Sequence, residues 1–159
     1  MADIAAAAGI SRATLYRYVP SRDELLRQMA VAAVDEAAHR LAESHLDAVP
    51  CAEALVRSAR ALLSVGSRYA VLSGEVGLVD PERVERVLGA PLRGVMERGH
   101  AEGTLRGDLP ADWLLEMWGG LLRAGQRLAA SGAGVEDASA ALTRVFLEGA
   151  RAERADAGR

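Results

Sequence analysis

The chain has 159 residues and contains no lysine; its nineteen Lys/Arg positions are all arginine. That bias reads as gene base composition and calls for no mechanism. Cys51 is the single cysteine, so an intrachain disulfide is excluded and a reducing cytosol is the natural compartment. Aromatics are scarce, with two Trp, three Tyr and one Phe, and β-branched residues are scattered. Alanine and leucine dominate instead, which predicts an all-α fold. No apolar run reaches transmembrane length, and the N-terminus lacks a basic segment followed by an apolar one. His39, His45 and His100 lie far apart and Cys51 has no partner at ligand spacing, which excludes an obvious metal site. There is no nucleophile elbow and no glycine loop of phosphate-binding pattern. Glu75 and Asp80 suggest paired carboxylates, but capping and solvation explain them better. Neither an enzyme nor a cofactor is expected.

What is present is concentrated near the start. Gly9 to Arg22 reads Gly-Ile-Ser-Arg-Ala-Thr-Leu-Tyr-Arg-Tyr-Val-Pro-Ser-Arg, preceded by an alanine-rich helical stretch from Asp3 to Ala8. Helix, glycine turn, helix is the helix-turn-helix pattern, in which the second helix is presented to the major groove of DNA. Arg12, Arg17 and Arg22 have no acidic residue between them, so this short piece is locally basic on an acidic protein of net charge −3. Residues 1–27 hold four arginines against three acids, and the remainder holds fifteen against nineteen. Nucleic-acid contact is therefore expected to be confined to the N-terminal piece.

Helix starts are well marked. Ser11 caps the presented helix, and Ser21 with Glu24 forms a capping box for a helix from about Arg22 to His45. Leu25, Leu26, Met29, Ala33, Ala37 and Leu41 share one face of that helix. A second long helix is predicted from Ala52 to about Val65, after which Gly66, Gly74 and Gly77 break a shorter segment. Asp80-Pro81 opens a helix to about Ala101; Pro110 opens another, with Asp112 in its first turn; Val135 to about Ala150 forms the last. The division expected is 1–27 as a partial DNA-binding domain, 28–151 as a helical regulatory and dimerisation domain, and 152–159 as a flexible tail.

The run from Asp3 through Tyr18, followed by Ser21-Arg22-Asp23-Glu24-Leu25-Leu26, resembles the DNA-binding segment of TetR-type transcriptional regulators. Its most specific elements are the Thr14-Leu15-Tyr16 triplet and the Ser-Arg-Asp/Glu-x-Leu restart. A weaker resemblance covers Gly99 to Leu122, which looks like a junction between two late helices of the same family's ligand-binding domains. Two departures stand out. The family places a complete helix ahead of the one holding Ile4, whereas Met1 opens almost inside the second, and Val19 stands where phenylalanine is usual. An incomplete DNA-binding segment is thus expected, with a helical ligand-binding dimer that no longer binds DNA as the alternative.

The DNA-contact residues expected are Ser11, Arg12, Ala13, Thr14, Tyr16, Arg17, Tyr18 and Arg22. Arg12, near the helix start, is placed as a base reader, with Ala13 and Thr14 close to thymine methyls or the backbone. Arg22, beside free amides at the next helix start, fits a phosphate. The resemblance implies that Tyr16 and Tyr18 direct their polar ends to phosphates, while Leu15 is core. Ile4, Ala5, Ala8 and Ile10 are read as structural.

Tyr69, Met96, Trp113 and Met117 are candidates for lining a ligand cavity, with His100, Arg123 and Gln126 as polar groups near it. A stripe of large apolar residues at helical spacing is also what plain core looks like. The last two helices carry more apolar residues than one packing face needs. The resemblance implies that they pair with their copies in a four-helix interface holding Trp118, Leu121, Leu122, Gly125, Leu142, Val145, Phe146 and Gly149. The reading is an effector-responsive repressor of the cytoplasm that binds a palindromic operator as a homodimer and takes a small apolar or amphipathic ligand.

Overall fold

The computed structural model describes residues 1–72 and 77–151; Gly74, Glu75 and the tail 152–159 lie outside the described residues. Eight α-helices follow in order: α1 (Ala2–Ala7), α2 (Arg12–Tyr18), α3 (Arg22–Glu43), α4 (Cys51–Arg68), α5 (Pro81–Val84), α6 (Ala90–Ala101), α7 (Ala111–Leu128) and α8 (Val135–Ala150). A wide π-type turn over Glu85–Gly89 joins α5 to α6 into one continuous rod, and a second over Ala129–Ala133 closes α7. No strand occurs among the described residues, only an isolated bridge between Leu105 and Arg151. The all-α expectation is met.

Capping chemistry sets the boundaries. α1 ends in a Schellman turn: Gly9 at φ +66° lets its amide reach the Ala6 carbonyl and the Ile10 amide reach that of Ala5. The Ser11 hydroxyl accepts from the Thr14 amide at 3.1 Å, and the Ser21 hydroxyl accepts from the Glu24 amide at 3.1 Å. The Asp80 carboxylate accepts from the Glu82 amide. Pro110 caps α7 from outside rather than beginning it. Asp112 has a partner beyond the helix dipole, because Arg93 Nε donates to it at 2.7 Å. Arg93 also pairs with Glu85, and these two carboxylates, Glu85 foremost, hold the guanidinium more firmly protonated than usual.

Gly66 does not break α4, which runs on to Arg68. An added Cβ at Gly66 would stand 2.5 Å from Gln126 Nε2, so the glycine serves helix–helix approach. A closer approach occurs at Gly125 of α7, whose missing side chain leaves room for Leu142 of α8 and Leu63 of α4. About two turns earlier on α7, Trp118 is fully buried and meets Phe146 edge-on, with ring centroids 5.0 Å apart. Leu55, Leu63, Met96, Leu105 and Leu114 complete the centre of the main core.

A smaller core lies at the N-terminal end, where Ala5, Leu15 and Val19 pack with Met1 and Leu25. Val19 is buried despite being smaller than phenylalanine. Ile4, Ala8 and Ile10, expected to be structural, are exposed because the small cluster is too narrow to cover them.

At the start of α4, Glu102 Oε2 accepts the amide of Cys51 at 3.1 Å, and Arg98 donates to the carbonyls of Leu46 and Val49. These bonds satisfy backbone groups between α3 and α4 from the end of α6. Burial, reinforced by the Glu102 charge, pushes the Cys51 thiol up to about 11.

Two outcomes follow from this packing. Gly125→Ala forces its Cβ to 2.4 Å from Leu142 Cδ2 and should destabilise the fold by about 1–3 kcal/mol in urea titration. Gly94→Ala, which meets nothing within 4 Å on helical backbone, should instead stabilise by about 0.5–1 kcal/mol. The raised Cys51 pKa means that the folded state holds its proton more tightly than the unfolded chain. That contribution is complete below the ordinary thiol pKa of 9.0 and is lost as pH climbs through about 11. Denaturation at stepped pH should show Cys51→Ala losing less stability than wild type between those values.

Candidate nucleic-acid interface and effector cavity

Folding leaves most of the predicted DNA-contact residues exposed on and beside α2. Leu15 and Val19 anchor α2 from beneath, which turns the opposite side of the helix outward. Ser11, Arg12, Ala13, Tyr16, Arg17, Tyr18 and Arg22 are exposed there, and Thr14 is half-buried. The hydroxyls of Ser11 and Thr14 lie 2.8 Å apart, so both are engaged in the cap. Arg17 stacks over the Tyr18 ring, 5.1 Å from its centroid, and its Nη2 lies 3.4 Å from the phenol oxygen. Arg12 and Arg22 make no ion pair or hydrogen bond through their side chains among the described residues. Two unpaired guanidiniums flank a stacked arginine–tyrosine pair, which suits a polyanion.

A cavity of about 290 Å³ opens where α3, α4 and α7 meet, with Leu88 beneath it. It is lined by Ala33, Val34 and Ala37 of α3, Leu62, Val65 and Gly66 of α4, Tyr69 and Leu72 just beyond, and Leu122 and Gln126 of α7. At the α3–α4 contact, Glu36 accepts from Arg68 at 2.8 Å, from Arg40 at 3.4 Å and from the Tyr69 hydroxyl at 3.4 Å.

Of the seven residues expected near a ligand, Tyr69 and Gln126 line this cavity. The rest do not. Met96 is sealed in the main core, and Trp113 (60 % exposed) and Met117 point to solvent from another side of α7. Arg123 is exposed and pairs with Glu116 at 3.5 Å. His100 lies at the end of α6 with its Nε2 buried and unpartnered, away from the cavity lining. The small residues Ala33, Ala37 and Gly66 were missed as lining. Their only signal is size, and nothing local tells which small residues will face each other across a gap.

The expected dimer residues also divide. Trp118, Leu122, Gly125, Leu142 and Phe146 are buried in the core of the single chain, because α7 and α8 spend one face of each helix on α4 and on each other. They have no surface left for a partner. Leu121 is half-buried, and Val145 (58 % exposed) and Gly149 remain accessible. With Trp113, Met117 and Leu128 they leave apolar surface on both helices.

The comparisons with known proteins agree with this geometry. The model of bacterial regulatory proteins of the tetR family matches residues 1–29. The HTH-type transcriptional repressor LfrR of Mycolicibacterium smegmatis is 26 % identical over 132 residues, covering 83 % of this chain and 70 % of the relative. The crystal structure of the TetR-like regulator LfrR from Mycobacterium smegmatis in complex with proflavine superposes with a TM-score of 0.69 at 27 % identity, over 92 % of this chain and 82 % of that one. A tetR-family regulatory protein from Rhodococcus RHA1 shares the fold, with a TM-score of 0.75 at 13 % identity over 96 % and 86 % of the two chains. No helix among the described residues is long and apolar enough to cross a membrane. A presented α2 with its capped restart, the family match over that segment and the similarity to LfrR across most of the chain show a tetR-type helix-turn-helix segment over residues 1–29 and a likeness to TetR-like transcriptional regulators over most of the chain.

Proposed function

We propose that the protein is an effector-responsive repressor that binds a palindromic operator as a homodimer and releases it when a small apolar or amphipathic molecule enters the cavity. The observation that carries this reading is the physical continuity between the two sites. α3 starts four residues after α2 ends, is capped by Ser21, and contributes Ala33, Val34 and Ala37 to the cavity wall. At 22 residues it is a rod of about 33 Å that carries any tilt at the cavity to the reading helix. Operator and effector then oppose each other reciprocally, since coupling between two sites is a single free energy. That LfrR was crystallised with proflavine supports an aromatic ligand of modest size.

The division of labour on the DNA face is testable once an operator has been selected from randomised duplexes. Arg12→Ala should alter preference at particular bases, at a cost of about 1–3 kcal/mol. Arg22→Ala should weaken all sequences alike and lower the salt slope by about one. Uniform loss of affinity in both variants would remove Arg12 from base reading. A wild-type chain that binds effector but no duplex would favour the ligand-binding dimer without DNA activity.

We assign the dimer surface to the largely exposed apolar stripe of α7 and α8, where Trp113, Met117, Leu121 and Leu128 follow at spacings of four, four and seven residues and Val145 and Gly149 lie on α8. Met117→Glu with Val145→Glu should convert the sedimenting species to a monomer of unchanged helicity. Leu122→Glu should unfold the chain instead, because Leu122 belongs to the core. A wild-type protein that sediments as a monomer at micromolar concentration refutes the homodimer.

A further inference from the structure

Among the described residues lining the cavity, none carries a formal charge and two carry a polar end. The Tyr69 hydroxyl is already directed to Glu36. The Gln126 carboxamide is different: it has no hydrogen-bond partner among the described residues. Its position is made by Gly66. A Cβ at residue 66 would stand 2.5 Å from Gln126 Nε2 and 2.8 Å from both Cγ and Cδ, so the side chain lies against bare α4 backbone. A primary amide has two donors and two acceptor lone pairs, and one that is half-buried gains by meeting a complementary ligand group.

The charge environment restricts the ligand further. A cation or an anion entering this lining gives up hydration and finds no opposite charge among the described residues of the wall, which costs far more than burying a neutral molecule. Glu36, which meets the Tyr69 hydroxyl, is already paired with Arg68 and Arg40. We propose that the cavity selects an uncharged, largely apolar molecule carrying one hydrogen-bonding group, and that Gln126 is the residue that reads this group. The proposal rests on the effector-site reading above and gives that site its ligand class.

Three aromatic probes separate the possibilities by charge: neutral N-phenyl-1-naphthylamine with one N–H, its 8-sulfonate anion, and the proflavine cation. Fluorescence titration of the full chain at neutral pH should show the neutral amine binding at least tenfold more tightly than either ion. Gln126→Leu and Gln126→Ala should each weaken the neutral amine by about three- to tenfold while circular dichroism stays unchanged. Gln126→Glu should reverse the order and favour proflavine. A wild-type preference for either ion, or an unchanged affinity for the neutral amine in both the Leu and Ala variants, overturns the proposal and leaves the effector site standing. Ala33→Phe fills the cavity and tests the site itself. Binding that survives this substitution, or no binding of any probe to wild type, overturns the effector-site reading together with the proposal.

Discussion

The close approach of α7 to α4 and α8 at Gly125 is the constraint on which the rest of the molecule depends. Without a side chain there, Leu63 and Leu142 converge on the α7 backbone, and the Trp118–Phe146 edge contact forms about two helical turns away on α7. Interiors packed this tightly do not deform continuously, so the position of α7 is decided by a few contacts of this kind. The same approach turns Leu122 and Gln126 toward α3 and α4, where they become the cavity wall. Core packing and cavity are therefore two sides of one helix placement.

α3 is the second organising element. Its N-terminal end belongs to the small core through Leu25, its middle lines the cavity, and its C-terminal end enters the main core through Leu41. Ion pairs tie its exposed flank to neighbouring helices: Glu36 to Arg68, and Asp35 to Arg83. Individually such exposed pairs contribute little to stability. Their value in the proposed coupling lies in where they act, at the contacts of α3 with α4 and α5. α1 and α2 at its head are held by a small core of three buried residues.

Legibility from sequence was uneven. Helix starts were read closely because capping is local: Ser11, Ser21 and Asp80 each accept the amide of a residue two or three positions on, as their spacing implied. The exposure of Arg12, Ala13, Tyr16, Arg17 and Tyr18 was legible for the same reason, since the short helix α2 turns them outward once Leu15 faces inward. The cavity was half legible. Tyr69 and Gln126 were identified by their polar ends, whereas Ala33, Ala37 and Gly66 carry no chemical mark. The apolar stripe of α7 was assigned wrongly in both directions. Trp118 and Leu122 went into the core, and Trp113 and Met117 to the surface, because periodicity identifies an apolar helix without saying how many neighbours it will have.

The sequence by itself determined the all-helical class, most helix starts, the basic outer face of α2 and the absence of a disulfide. Each of these depends on residue type or on neighbours within one or two turns. Only the tertiary structure decided that Gly66 is a point of helix approach, that Gln126 lies on a cavity wall without a partner among the described residues, and which apolar residues of α7 and α8 stay exposed. Those properties belong to pairs of residues distant in the chain, and packing between helices sets them through the volumes of side chains that meet only after folding.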